Sequence, residues 1–243
     1  MNVISVEHLT KRFGSVTVVD DLAFAVAPGE IVGFLGPNGA GKTTTLAMLL
    51  GLLLPTSGRV HVLGLPMPAA RQRILARVNF TSPYVGLPGN LTVDENLSVF
   101  AHLYGVRDAR RRIAELLARF GLAELRHRPT GRLSSGEGTR LGLVKGLLND
   151  PDVLFLDEPT ASLDPDSADR VRESLRATRT ERRMTIFYTS HNMQEVERLS
   201  DRILFLHKGR LIADGAPGDV LRRFARATLE EMFLDVARHG AAS

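Results

Sequence analysis

The chain has no cysteine among its 243 residues, which excludes disulfides and thiolate metal sites and leaves redox chemistry without a starting point. It also lacks an apolar run of membrane length. The longest, LAMLLGLLL at 46–54, is about half of the ~20 residues a spanning helix needs and is interrupted by Gly51, so it reads as a buried helix rather than an anchor. The opening MNVISVEHLTKRFG has no basic start, apolar stretch and small-residue cleavage site in series. No secretory signal is therefore expected, and the protein is placed in the cytoplasm. Lysine is scarce: only Lys11, Lys42, Lys145 and Lys208 occur, and the net charge of +4 rests on arginine. In RDARRRIAELLARF (107–120) and DRVRESLRATRTERR (169–183) the arginines alternate with acidic and apolar residues at helical spacing, as on a solvated face. No aromatic residues interleave with a basic run to build a stacking platform, so nucleic acid is not an expected partner.

What is present suffices for a folded core, at 44% hydrophobic residues. Strand-like segments stand at 2–9, 16–26, 30–36, 59–64, 77–82, 152–157, 184–190 and 202–215. Runs such as VLFL and IFY, bounded by turns and alternating with helical stretches, predict a mostly parallel sheet buried on both faces. Between residues 91 and 150 the strand signal gives way to helical periodicity, as for a helical lobe inserted into an α/β core. TLEEMFLDVARHG from residue 228 predicts one more amphipathic helix.

Three motifs carry chemistry. Residues 36–43, GPNGAGKT, match G-x-x-x-x-G-K-[ST] between a strand and a helix. Glycines let such a loop turn its N–H groups toward phosphates, the helix start adds positive potential, Lys42 faces the β and γ phosphates and Thr43 offers a hydroxyl to Mg²⁺. VLFLDE (153–158) reads as a buried strand delivering Asp157 to the ligand-binding edge of the sheet as a magnesium ligand, with Glu158 beside it as a candidate general base. LSSGEGTR (133–140) has no nearby His or Cys to activate its serines. Ser134, Ser135 and Gly136 stand instead where a helix begins, as an anion site or a plain serine cap.

Taken in order, GPNGAGKTT (36–44), LSSGE (133–137), VLFLDEPTASLD (153–164) and the lone His191 in YTSHNMQE resemble the nucleotide-binding subunits of ABC transporters over nearly the whole chain. The resemblance implies an α/β fold: a phosphate-loop NTPase core with a mostly parallel sheet, an N-terminal antiparallel β subdomain and the inserted helical lobe. It implies an ATPase domain at 1–225 and a helical tail at 226–243. ATP would be held by Gly36, Asn38, Gly39, Gly41, Lys42, Thr43 and Thr44, with Phe13 stacking on adenine unless it is an ordinary core residue. Mg²⁺ would sit on Thr43 and Asp157, and Glu158 and His191 would act on the attacking water. Two subunits would face each other head to tail, Ser135 and Gly136 of one reaching the γ-phosphate held by the other. Asp164 would contact the opposite subunit, or simply cap the helix that follows.

The partners implied are a separate transmembrane permease and a second copy or paired ABC subunit, with the protein peripheral on the inner face of the membrane. The tail is similar to that of subunits serving export-type permeases. One departure stands out. Where the family has a glutamine reaching Mg²⁺, this chain has Thr81-Ser82-Pro83, and its only glutamines are Gln72 and Gln194. A hydroxyl of Thr81 or Ser82 is the expected substitute, and Tyr84, Val85 and Leu87 are expected to line a groove for the permease. The competing reading is a soluble ABC ATPase acting on nucleic acid or ribosomes. The single phosphate loop and the missing heptad run argue against it.

Overall fold

The computed structural model describes residues 2–82 and 86–239. They form two compact units, Met1–Leu75 with Phe187–Ser243, and Ala76–Ile186. The first unit opens with β1 (Ile4–Phe13), β2 (Val16–Val26) and β3 (Ile31–Leu35), followed by α1 (Lys42–Leu49), β4 (Ser57–Val62), β5 (Leu65–Met67) and α2 (Arg71–Leu75). The second holds β6 (Val78–Thr81), α3 (Val93–Leu103), α4 (Ala109–Arg119), α5 (Ser135–Gly146), β7 (Val153–Asp157) and α6 (Pro165–Arg182). The chain returns to the first unit within β8 (Thr185–Thr189). There it adds α7 (Met193–Leu199), β9 (Arg202–His207), β10 (Arg210–Gly215), α8 (Pro217–Phe224) and α9 (Leu229–His239).

In the first unit a four-stranded antiparallel sheet runs β2-β1-β4-β5. Along β2 the alternation of Leu22, Phe24 and Val26, all buried, is the period of a strand with one covered face. β3 is different: all five of its residues are buried, and it pairs in parallel with β9, Val32 opposite Arg202 through Leu35 opposite Phe205. A continuously apolar strand is what a parallel sheet covered on both faces requires. Phe24, Phe34 and Phe187 pack together, with ring centroids 5.3 to 6.1 Å apart, in the offset arrangements aromatic quadrupoles favour. β10 closes back antiparallel on β9. The expected single strand at 202–215 is therefore a hairpin, turning at Lys208 and Gly209, both at positive φ. The tail helix α9 buries Leu229, Met232 and Val236, and the Leu229 N–H donates to the Glu197 carboxylate of α7 at 2.8 Å.

The apolar run at 46–54 is only partly a helix. α1 stops at Leu49 because Gly51, at φ 65°, takes the left-handed turn. The Gly51 N–H then donates to Met48 O at 3.1 Å and the Leu52 N–H to Ala47 O at 2.8 Å, the paired bonds of a glycine-terminated helix end. Leu52 and Leu54 lie beyond it, exposed.

In the second unit β6 and β7 pair in parallel, Val78 opposite Val153 through Thr81 opposite Leu156. The helical lobe consists of α3, α4, two short 3₁₀ turns and α5. Thr92 caps α3 and Glu95 reaches back to the Thr92 N–H, closing a capping box. The arginines read as a solvated face are largely ion-paired: Arg111 to Asp108 and Glu115, Arg119 to Glu181, Arg112 to Asp150. Neither nucleic acid nor a membrane is needed to account for them.

Lys145 is the exception. It is buried on α5 with its ammonium 5.3 Å from the Phe100 ring centroid, and burial holds its pKa below the ordinary lysine value. It has no carboxylate partner among the described residues. A buried charge without an ion partner costs more than an apolar side chain of similar length, and the ring face offsets only part of that. Lys145→Met should raise the stability by roughly 1 kcal/mol, read as a higher urea midpoint. A lower midpoint would mean that the cation–ring contact outweighs the burial cost.

Candidate functional site

The phosphate loop follows from two close backbone approaches in the first unit. Gly36 leaves β3 at φ 146°, and a Cβ there would stand 2.1 Å from the Leu206 carbonyl oxygen of β9. Gly41, at φ 104°, would place a Cβ 2.7 Å from Val18 O of β2. The β9–β10 turn fastens the loop from outside: the Gly209 N–H donates to Ala40 O at 3.0 Å, and the Asp20 N–H donates to Gly209 O at 2.9 Å. The motif did not reveal this brace, although the glycine after His207-Lys208 was its one trace. Burial and the Lys208 charge hold the His207 imidazole below its usual pKa.

The loop's inner side has the opposite character. No atom lies within 4 Å of a Cβ built on Gly39, which is exposed together with Asn38. The N–H groups of Asn38, Gly39, Gly41, Thr43 and Thr44 have no hydrogen-bond partner among the described residues. α1 has no side-chain cap and no acidic residue in its first turn, so its positive end is not neutralised from within. Lys42 curls over the loop, its ammonium donating to Gly36 O at 2.6 Å and Pro37 O at 3.1 Å. The Thr43 side chain is exposed, whereas buried Thr45 donates its hydroxyl to Gly41 O at 2.9 Å and locks the first turn. This cradle fits a chain of phosphates.

His191 sits in the same unit, exposed in the turn after β8. Neighbours that the sequence did not single out hold the turn. Buried Ser190 donates to the Glu195 carboxylate at 2.8 Å and accepts from the Asn192 N–H at 3.1 Å, while the Asn192 side chain accepts from the Glu195 N–H at 3.1 Å. The cap of α7 is thus Asn192, which leaves the His191 ring out of that role. Phe13, at the end of β1, is 50% exposed with the Lys11 ammonium 4.9 Å from its ring centroid. It is not a core residue.

In the second unit a cleft of about 290 Å³ brings together Ser82, Ser134, Ser135 and Asp157. Asp157 ends the buried run of β7, and Ser82 Oγ lies 3.5 Å from its Oδ2. Glu158 follows at φ 52°, a left-handed conformation that a non-glycine residue adopts only under constraint. Of the two hydroxyls expected near the metal, Ser82 is the one beside Asp157. Thr81 is buried against α5, its Oγ1 3.0 Å from a Cβ built on Gly142. Among the described residues no group of three or more His, Cys, Asp or Glu could hold a metal ion by itself. The Ser82 hydroxyl and the Asp157 carboxylate are oxygen donors of the kind Mg²⁺ takes alongside nucleotide phosphates. Pro83, Tyr84 and Val85 lie outside the described residues, and Leu87 lines the same cleft.

α5 begins with a second capping box. Ser134 Oγ accepts from the Glu137 N–H at 3.2 Å, and the Glu137 carboxylate accepts from the Ser134 N–H at 2.7 Å. That bond, with Arg128 3.5 Å away, holds Glu137 below the usual carboxylate pKa. The glutamate is accounted for as a cap. Ser135 and Gly136, just inside the helix, take no part in the box, and the exposed Ser135 hydroxyl has no hydrogen bond among the described residues. A Cβ on Gly136 would lie 3.3 Å from Leu163, so α5 packs closely on the loop that leads to Asp164. Asp164 caps α6 ahead of Pro165, accepting from the Ser167 N–H at 3.0 Å; hydrogen bonding from the Ser167 side chain, and then from its backbone N–H, lowers the Asp164 pKa.

A family model described as "ABC transporter" matches residues 19–161. The chain is 40% identical over 235 residues to the Nod factor export ATP-binding protein I of Ralstonia nicotianae, covering 96% of this chain and 73% of that protein. Among solved structures, one titled as the ATP binding subunit of an ABC transporter superposes with a TM-score of 0.86 at 27% identity, covering 97% of this chain and 100% of the other. Another, cbiO1 of Clostridium perfringens, titled as part of the ABC transporter complex cbiONQ, gives a TM-score of 0.80 at 25% identity, covering 98% and 96%.

The two sides of the loop predict opposite tolerances. Gly36→Ala should cost roughly 1–3 kcal/mol by forcing β3 and β9 apart. Gly39→Ala meets open space and should cost only the left-handed strain of about 1 kcal/mol. Thermal unfolding of the two variants would rank them, and the reverse order would contradict the brace by β9.

Proposed function

The chain belongs to the ABC transporter family as an ATP-binding, ATP-hydrolysing subunit, and from that premise we propose that it drives a separate membrane permease in exporting a cargo. The phosphate loop carries the reading: unpartnered N–H groups at an uncapped helix start, with an ammonium folded over them, form a site for the β and γ phosphates. Phe13 offers an exposed ring to adenine. Thr43 and Asp157 would hold Mg²⁺, with Ser82 as a further oxygen in place of the family's glutamine. The ion would supply charge neutralisation on the phosphates. Glu158 would take up the proton of the attacking water and His191 would hold that water in line.

In this proposal two subunits close head to tail, as a homodimer or with a paired ABC subunit. Ser135 and Gly136 of one, left unused by the capping box, would bind the γ-phosphate held by the other, and Asp164 would lie at the contact between subunits. The direction of transport is supported by the export subunit that this chain resembles at 40% identity. Among the described residues no helix is long and apolar enough to cross a membrane, and cbiO1 is part of a multi-component transporter complex. Both support a separate permease and a place on the inner face of the cell membrane. Residues 1–225 would be the ATPase domain and 226–243 its helical tail. The relatives are transporter subunits, so the nucleic-acid reading is not favoured.

Lys42→Ala should weaken Mg-ATP binding by roughly 10- to 100-fold, the worth of one or two charged hydrogen bonds. Calorimetry showing unchanged affinity would remove the phosphate-loop reading. Glu158→Gln should bind ATP, lose turnover and accumulate a dimer in light scattering, and adding Ser135→Arg should return that dimer to monomer. A Glu158→Gln chain that stays monomeric in saturating Mg-ATP would contradict the two-subunit clamp.

A further inference from the structure

The second unit has a pocket of about 220 Å³, lined by none of the residues assigned to ATP, where the end of α4, the middle of α5 and the first turns of α6 meet. Arg119, Arg140, Arg170, Ser167, Ser174 and Gly121 are among the residues that line it. No acidic side chain lines it. Arg119 is engaged by Glu181 and by the Thr178 hydroxyl, and Arg170 by Asp166. Arg140 has no carboxylate within ion-pair reach among the described residues. One of its terminal nitrogens donates to Phe120 O at 3.1 Å, and its Nε is buried without a partner. Glu137, one turn back on α5, is committed to the cap of that helix and to Arg128.

A cavity with three guanidinium groups and two hydroxyls, one guanidinium having no carboxylate within ion-pair distance among the described residues, selects an anion with several acceptor oxygens, because planar N–H forks match tetrahedral oxyanions. We propose that this pocket is a second anion site that takes a phosphate group, as inorganic phosphate or a small phosphomonoester, distinct from the nucleotide loop. Arg140 supplies the guanidinium that has no directly paired carboxylate, and Arg170 with Ser167 and Ser174 closes the α6 side. An occupant would bridge α5 and α6, whose starts carry Ser135 and Asp164. It would thereby fix the spacing of the two segments assigned above to the subunit contact. The site itself does not rest on that assignment.

The test uses the full chain carrying Lys42→Ala, which weakens phosphate binding at the nucleotide loop. Inorganic phosphate is titrated at constant ionic strength against chloride, following the unfolding midpoint and ³¹P line broadening. The expected result is a saturable rise in midpoint, with Arg170→Gln raising the apparent Kd roughly tenfold. Arg140→Gln should abolish binding. Because Arg140 also caps α4 it can cost stability, so the exposed Arg170 and the Ser174→Ala variant carry the comparison. Parallel arms use glycerol 3-phosphate and phosphatidylcholine vesicles with and without phosphatidic acid. Binding confined to the phosphatidic acid vesicles and lost in Arg170→Gln would identify a lipid headgroup as the source of the phosphate. Soluble phosphate binding lost in the same variant would identify a free metabolite. If no arm shows saturable binding, or if Arg170→Gln and Ser174→Ala bind as the parent does, the site is refuted. An intact ATPase reading would survive that failure, since it depends on none of these residues.

Discussion

At Gly36 the chain must pass a carbonyl oxygen at a distance no side chain tolerates. The Leu206 oxygen would stand 2.1 Å from a Cβ at that position, and Val18 O only 2.7 Å from one at Gly41. These approaches pin the two ends of the phosphate loop between β2 and β9. The buried strand β3 feeds the loop from below and the Gly209 N–H holds Ala40 from the side. With its ends fixed from outside, the loop can keep its inward N–H groups unsatisfied by protein atoms, which is the condition for holding an anion. A flexible glycine-rich segment would lose that ordering entropy on each binding event.

Helix starts elsewhere are satisfied differently. Thr92, Ser134, Asp164 and Asn192 cap α3, α5, α6 and α7 with their own side chains, and α3 and α5 add a glutamate that returns to the cap. α1 begins from a left-handed glycine with no such cap. α4 and α8 also start without a side-chain cap, so what sets α1 apart is the phosphate loop whose N–H groups lead into it. In α5 the box consumes Ser134 and Glu137 and leaves the exposed Ser135 hydroxyl unused, while Gly136 packs on the loop at Leu163. Glutamate suits the box, since its carboxylate accepts the Ser134 N–H and also attracts Arg128.

Charge follows the same economy. Many of the arginines that give the chain its positive balance are answered by an acid, one helical turn away as for Arg111 with Glu115 or from another segment as for Arg119 with Glu181 and Arg112 with Asp150. Exposed pairs of this kind add little stability. Arg140, in a pocket of arginines with its Nε buried, and Lys145, buried over a ring, are two cations that have no acid partner among the described residues although part of each side chain is out of water.

Sequence alone determined what depends on neighbouring residues: β2 at 16–26, the strand–loop–helix at 31–49, the caps ahead of α5 and α6, and the glycine and lysine types that a phosphate cradle needs. Gly51 was visible as a break in the apolar run at 46–54, but that the run would end as a glycine-terminated helix with Leu52 and Leu54 outside was decided by left-handed geometry at one residue. The hairpin at β9–β10 was hidden because its turn pair, Lys208-Gly209, sits inside a continuous strand-like pattern. Tertiary structure decided everything that joins residues distant in the chain. It set Leu206 and Val18 against the loop glycines, placed Ser82 rather than Thr81 beside Asp157, and gathered Arg140 with Arg170. Local propensity and periodicity report the conformation a segment prefers, whereas a close approach between carbonyl and Cα, or between two guanidinium groups, exists only once separate segments have packed.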